Sequence, residues 1–187
     1  EWDGSLLSFD PAAPGKVARR AAVVIPMPYH PVALTFGKEF FWSLDSAQAR
    51  LIKHKGLTPE QVVASRAAPG PAPMALAYDG ESVWSYDAVN KAFYRHDPAE
   101  EANTKTFVVE QELVPSSMIW AQGQLWVLDS KTRKMLVFEL KGDRLKLLAQ
   151  QPFGEAVLGM TLSKKQLWVL AGPSTLRPGH ALLRYKY

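Results

Sequence analysis

Tryptophan recurs at a fixed interval in this chain: Trp42, Trp84, Trp126 and Trp168 stand 42 residues apart without a gap. A sequence with that period must build one supersecondary unit several times and bury its core between the copies. Other columns keep the same register. Eight residues before each Trp stand Leu34, Leu76, Met118 and Met160, and nine before stand the small residues Ala33, Ala75, Ser117 and Gly159. Six before stand Phe36, Tyr78, Trp120 and Leu162. Three after stand Asp45, Asp87 and Asp129, then Ala171; eleven before stand Pro31, Pro73 and Pro115, then Val157. The fourth unit is where the pattern breaks.

Each unit divides into four short strands separated by turn chemistry. In the second unit they are predicted at 74–78, 82–86, 92–96 and 106–112, with Asp79-Gly80 and Asp87 to Asn90 as turns. In the third they are predicted at 118–121, 125–128, 135–140 and 145–150. The run from Thr58 to Val62 reads either as one helical turn capped by Thr58 or, through Val62 and Val63, as strand. The second strands, FFWSL, VWSY, LWVL and LWVL, do not alternate between apolar and polar, which marks strands covered on both faces. The small column at 33, 75, 117 and 159 suits first strands that converge on an axis.

Four strands per unit of this length is the period of a β-propeller blade. The expected fold is all-β: one domain over 1–187, most simply four blades of four antiparallel strands, with units at 31–72, 73–114, 115–156 and 157–187. The last unit supplies only three strands. The segment 18–25, which reads as a strand, is expected to supply the missing outer one and clasp the ring, leaving 5–10 as a strand over. The alternative is the C-terminal part of a larger propeller.

Composition narrows the function classes. The chain of 187 residues is 47% hydrophobic and 21% charged, as a globular domain is, and no apolar run reaches the length of a membrane span. It has no cysteine, which removes disulfides, thiolate metal sites and a cysteine nucleophile. Its net charge of +4 is scattered singly and in pairs, which speaks for a solvated surface rather than a nucleic-acid stripe.

The unit QLWVLDSKTRKMLVFEL, with its looser copies SVWSYDAVNKAFYRH and FFWSLDSAQARLIKH, resembles repeats of the NHL, YVTN and gluconolactonase-like propeller group. That resemblance implies the propeller fold but no single activity, since such propellers serve as enzymes, sensors and docking platforms. It also favours one domain of a larger bacterial-type assembly or surface protein, periplasmic or secreted. Propeller lactonases are implied to hold a metal through Glu, Asn and Asp of the inner strands. The corresponding columns here are His30, Ala72, Val114 and Ala156, and Val32, Met74, Ser116 and Leu158, which cannot make a metal site.

The candidate residues follow from the repeat. Trp42, Trp84, Trp126 and Trp168 are expected in the core, while Trp2 and Trp120 lie off that column and are freer to be surface aromatics. Asp45, Asp87 and Asp129 are expected to accept backbone N–H bonds and fix the turns after the second strands, each worth about 1–2 kcal/mol. The four histidines, His30, His54, His96 and His180, are read as lying at different phases of the repeat, with no His-x-x-x-His pair among them. Where the fourth unit loses its Asp it inserts GPSTLRPGH, from Gly172 to His180. A loop the scaffold does not need is a functional candidate. The face carrying it would gather Met27, Tyr29, His30, Lys131, Arg133, Arg177 and His180. These observations point to a non-enzymatic propeller that docks a protein or peptide, with no cofactor or metal expected. The alternatives are a lactonase-like hydrolase and an RNA-binding NHL-type propeller.

Overall fold

The second strand of each of the first three units is buried on both faces because it lies within a sheet packed against its surroundings, whereas in the fourth unit Leu170 is exposed. The computed structural model describes residues 5–9, 17–22, 29–37, 39–56, 58–100, 104–163, 166–175 and 177–186, and no helix occurs among them. A hairpin of β1 (Ser5–Phe9) and β2 (Val17–Ala22) comes first. The first blade is β3 (Pro31–Gly37), β4 (Phe40–Asp45), β5 (Arg50–Lys55) and β6 (Thr58–Ala67). The second is β7 (Pro73–Tyr78), β8 (Val83–Asp87), β9 (Ala92–His96) and β10 (Thr104–Val108). The third is β11 (Pro115–Ala121), β12 (Gln124–Asp129), β13 (Lys134–Lys141) and β14 (Arg144–Pro152). The fourth has three strands: β15 (Val157–Ser163), β16 (Gln166–Ala171) and β17 (Ala181–Lys186).

Each blade is a simple antiparallel meander, and the innermost strands meet in chain order, β3 with β7, β7 with β11 and β11 with β15. The strands fall where turn chemistry and β-rich runs put them, with two differences. The outer strand of the second blade is shifted to Thr104–Val108, and Thr58–Ala67 is strand throughout rather than a helical turn. The latter hydrogen-bonds along β5, and that ladder outweighs a local capping signal.

Ring closure by the N-terminal strand is the expectation that fails. β2 pairs with β1, not with β17, and packs beside β6 of the first blade. β1 and β2 thus stand as a third and fourth strand do, a hairpin joined by local chain rather than a single strand crossing to the fourth blade. Among the described residues β15 and β3 do not meet as closely as the other three neighbouring inner strands, so the four blades make an arc.

The core lies between blades. Leu76 packs with Trp42 and Leu44 of the blade before it. Met118 packs with Trp84 and Tyr86, and Met160 with Trp126 and Leu128. Small inner-strand residues permit this approach: the Ser117 hydroxyl donates to Met160 O at 3.2 Å across the third seam. Trp42, Trp84 and Trp126 are buried as expected of the repeat column, but Trp168 in the last blade is only half-buried. Trp120, expected to be freer, instead stacks on Trp84 with ring centres 5.4 Å apart. Trp2 and Met27 lie outside the described residues.

Candidate functional site

The end of the arc that carries the turns between second and third strands also carries the linkers between blades. Backbone bonds tie them at the same place in every unit: Ser46 N to His30 O, Ala88 N to Ala72 O, Ser130 N to Val114 O and Gly172 N to Ala156 O, at 2.9–3.0 Å. The three aspartates are buried between turn and linker. Asp87 accepts from Val89 N (3.0 Å) and Asn90 N (2.8 Å) in its turn, and from Ala72 N (2.6 Å) in the linker. Asp45 does the same with Ala47 N and His30 N, and Asp129 with Thr132 N and Val114 N. The proline that follows each linker donor has no N–H of its own and pairs opposite the aspartate, so the carboxylate takes the last free donor before the strand. Sequence reasoning reached the turn bonds and missed the linker bonds, which are long-range.

In the fourth unit, where Ala171 replaces the aspartate, an ion pair does the joining. Arg177 donates from Nη2 to Glu155 Oε2 at 2.7 Å and to Gly172 O at 3.1 Å, while its Nε reaches Gly179 O at 3.1 Å. Arg177 thereby ties the inserted loop to the linker that precedes β15. Between this loop and the third blade lies a groove of about 490 Å³, lined by Arg133, Gly154, Glu155, Ala156, Pro173, Ser174 and Thr175. Arg133 is exposed at its mouth and makes no ion pair among the described residues.

The remaining predicted face residues divide. His30, Lys131 and His180 are exposed on this end. Lys131 reaches Glu112 at 3.3 Å and shares it with Lys91 at 2.7 Å. Hydrogen bonds from the two ammonium groups, Lys91 first, hold the Glu112 carboxyl below the usual range. Tyr29 corrects the expectation of an exposed aromatic. It is 5% exposed, its hydroxyl donates to Ser43 Oγ at 2.8 Å, and burial, the larger influence, raises its pKa.

Behind Tyr29 lies a feature that corrects the reading of the histidines as unrelated in phase. His54 and His96 stand 42 residues apart and occupy the same place in consecutive blades. His54 Nε2 is 2.8 Å from Ser43 Oγ, and His96 Nε2 is 2.8 Å from Ser85 Oγ. Both pairs are buried, and His54 stacks on Phe41 with ring centres 4.2 Å apart. A hydroxyl bonded to an imidazole is the arrangement of an activated nucleophile. Here it recurs at the repeat period inside blades, away from solvent, which is what a structural pair does. The third blade fills the same positions with Val127 and Phe138.

Burial, followed by the charge of Arg66, pushes the His96 pKa down to about 3 from 6.5. The unfolded chain therefore binds a proton that the folded chain refuses between those values. Stability from this group is complete above pH 6.5 and falls toward pH 3 by at most about 1.4 kcal/mol per pH unit. Urea melts at pH 7 and pH 5 should show wild type losing about 2 kcal/mol more than a His96→Phe variant across that interval. Parallel losses in the two would show that His96 titrates normally.

No protein-family model matches the sequence, and no curated protein matches it. The likenesses are structural. Virginiamycin B lyase from Staphylococcus aureus superposes with a TM-score of 0.62 at 14% identity, over 89% of this chain and 55% of that one. Glutaminyl cyclase from Myxococcus xanthus gives 0.60 at 15% identity, over 75% of this chain and 61% of that one. The WD40 repeats of RRP9 give 0.60 at 13% identity, over 88% and 53%. The fold is a β-propeller. At such identities the likeness extends to architecture alone, and these neighbours include both enzymes and repeat domains. The chain spans about half to three fifths of the length of these three structures.

Proposed function

We propose that the propeller is a non-enzymatic docking module that receives an extended, acidic peptide segment of a partner protein in the groove between Arg133 and the inserted loop. The observation that carries this reading is the groove itself. It forms at the one turn that departs from the repeat, with an unpaired guanidinium at its mouth and a backbone-rich wall from Pro173 to Thr175. His30, Lys131 and His180 on the same end add donors, and the bound Glu155 and Glu112 leave the local balance positive. Tyr29 has no part in the docking surface because it is buried.

The test is selection of binders from a peptide library, followed by fluorescence polarisation with the selected peptides. Arg133→Glu should weaken binding about tenfold, or about 1.4 kcal/mol, with unchanged melting. Selected peptides that are not acidic, or that bind Arg133→Glu as they bind wild type, would remove this site from consideration. Oligonucleotide binding with a steep salt dependence would favour the RNA reading instead.

A further inference from the structure

We propose that a cleft between the first and second blades, at the end of the arc opposite the Arg133 groove, is a binding site for an alkylated ammonium group. The cleft has a volume of about 620 Å³ and lies among the turns from β3 to β4 and β7 to β8 and the loop that follows β9. Its walls combine the rings of Phe40, Trp42 and Tyr78 with the carboxylates of Glu39, Glu81 and Asp97. The face of an aromatic ring attracts a cation held within about 6 Å of its centre. The chain's own cations already use two of these rings. Lys53 Nζ stands 3.9 Å from the centre of Phe40 and 5.5 Å from that of Trp42, and the Arg66 guanidinium stands 5.3 Å from Trp42. The open volume lies beyond them, bounded by Tyr78, over which no cation of the chain stands among the described residues.

The walls are held in place. Tyr78 lies against β3 at Gly37, where a methyl group would run into its ring, and its hydroxyl donates to Gly80 O at 2.7 Å. Arg66 donates from Nη1 to Asp97 O at 2.8 Å, and the Asp97 carboxylate accepts from Ala99 N at 2.7 Å, which fixes the loop after β9. The rim carboxylates are less engaged. The Glu81 side chain is 85% exposed, and its cation, Arg95, is 3.7 Å away and sits closer to Asp79 at 3.0 Å. Glu39 is exposed and makes no ion pair among the described residues. Three carboxylates against one lining lysine favour a positive ligand. They are not gathered as the ligands of a metal ion are. A cation whose charge is spread over methyl groups suits both the rings and the separated carboxylates.

Calorimetric titration with choline chloride at constant ionic strength tests the site, with dimethylbutanol, the neutral isostere of choline, beside it. Choline should bind saturably, and the alcohol at least about threefold more weakly. Glu81→Gln and Phe40→Leu should each weaken choline about threefold, whereas Lys53→Gln, which takes a competing cation off the Phe40 ring, should tighten it by a similar factor. A short peptide carrying trimethyllysine distinguishes the source of the group: tighter binding than choline assigns the site to a side chain of a partner, weaker binding to a free cation. No saturable heat with either probe, or equal binding of choline and dimethylbutanol, would overturn the proposal. Choline binding that Lys53→Gln and Glu81→Gln both leave unchanged would overturn it as well, because the ligand would then sit elsewhere.

Discussion

Trp84→Ala is expected to lower stability by about 4 kcal/mol, with a fall in Tm on the order of 10 °C for a chain of this size. Trp84 is fully buried between the second and third blades, where it stacks on Phe107 at 5.2 Å and on Trp120 at 5.4 Å. Its indole N–H donates to Asp79 Oδ2 at 2.8 Å, beside Arg95, whose Nε reaches the same oxygen at 3.0 Å. Burial works to raise the pKa of Asp79, but the N–H donors of Ser82, Trp84 and Glu81, with Arg95, more than offset it and hold the carboxyl below its usual range. Truncation therefore opens a cavity at a seam and removes a donor from a carboxylate whose side chain is largely buried. Trp84→Phe separates the two effects: it keeps most of the ring and should cost about 1–2 kcal/mol. Chemical denaturation of both variants is the measurement. Equal losses would show that the indole bond, not the volume, governs the site.

Asp87→Ala is expected to cost about 3 kcal/mol, above the 1–2 kcal/mol of an ordinary cap. The fully buried carboxylate receives three backbone donors, one of which, Ala72 N, lies fifteen residues away in the linker between blades. Removing it leaves those donors without their acceptor at a place water does not readily reach. Amide exchange at Ala72, Val89 and Asn90 should accelerate together. Asp87→Asn, which retains one acceptor oxygen, should lose less. Gly70 belongs to the same unit: its φ is +87°, and a methyl there would run into the Asp87 carboxylate. Gly70→Ala should therefore destabilise as well. The Arg177–Glu155 pair that stands in for the aspartate in the fourth blade is partly exposed, so Arg177→Ala should cost only about 1 kcal/mol. If Asp87→Ala melts like wild type, the linker bonds carry no weight and the blades are held by their apolar seams alone.

Much of the fold was legible because the repeat supplies four readings of each position. A single LWVL could be a buried strand or a piece of helix; four copies at a fixed spacing, each followed by turn residues, leave only the strand. The same redundancy identified Asp129 as scaffold, since Asp45 and Asp87 share its place. The histidines carry the same redundancy. The 42-residue interval from His54 to His96, with Ser43 and Ser85 at the same interval, was the available signal for two buried pairs. Position in the repeat also did not reveal that Tyr29 is turned inward. Its hydroxyl finds Ser43 on a neighbouring strand, a contact set by the closeness of linker and blade rather than by nearby sequence.

The sequence by itself determined the unit, the strand order within it, the tryptophan core and the turn chemistry, because these depend on periodicity and on residues close along the chain. Tertiary structure decided which strands share a sheet at the ends of the arc, where the aspartates find their third donor, and how Arg133 and the inserted loop come to line one groove. β2 has the composition of a fourth strand and could serve any blade; only packing beside β6 fixes which one. Leu34 and Leu76 are the same residue type in the same column, yet one is bare and the other buried. Burial there depends on whether a neighbouring blade is present, and no local pattern of residues encodes that.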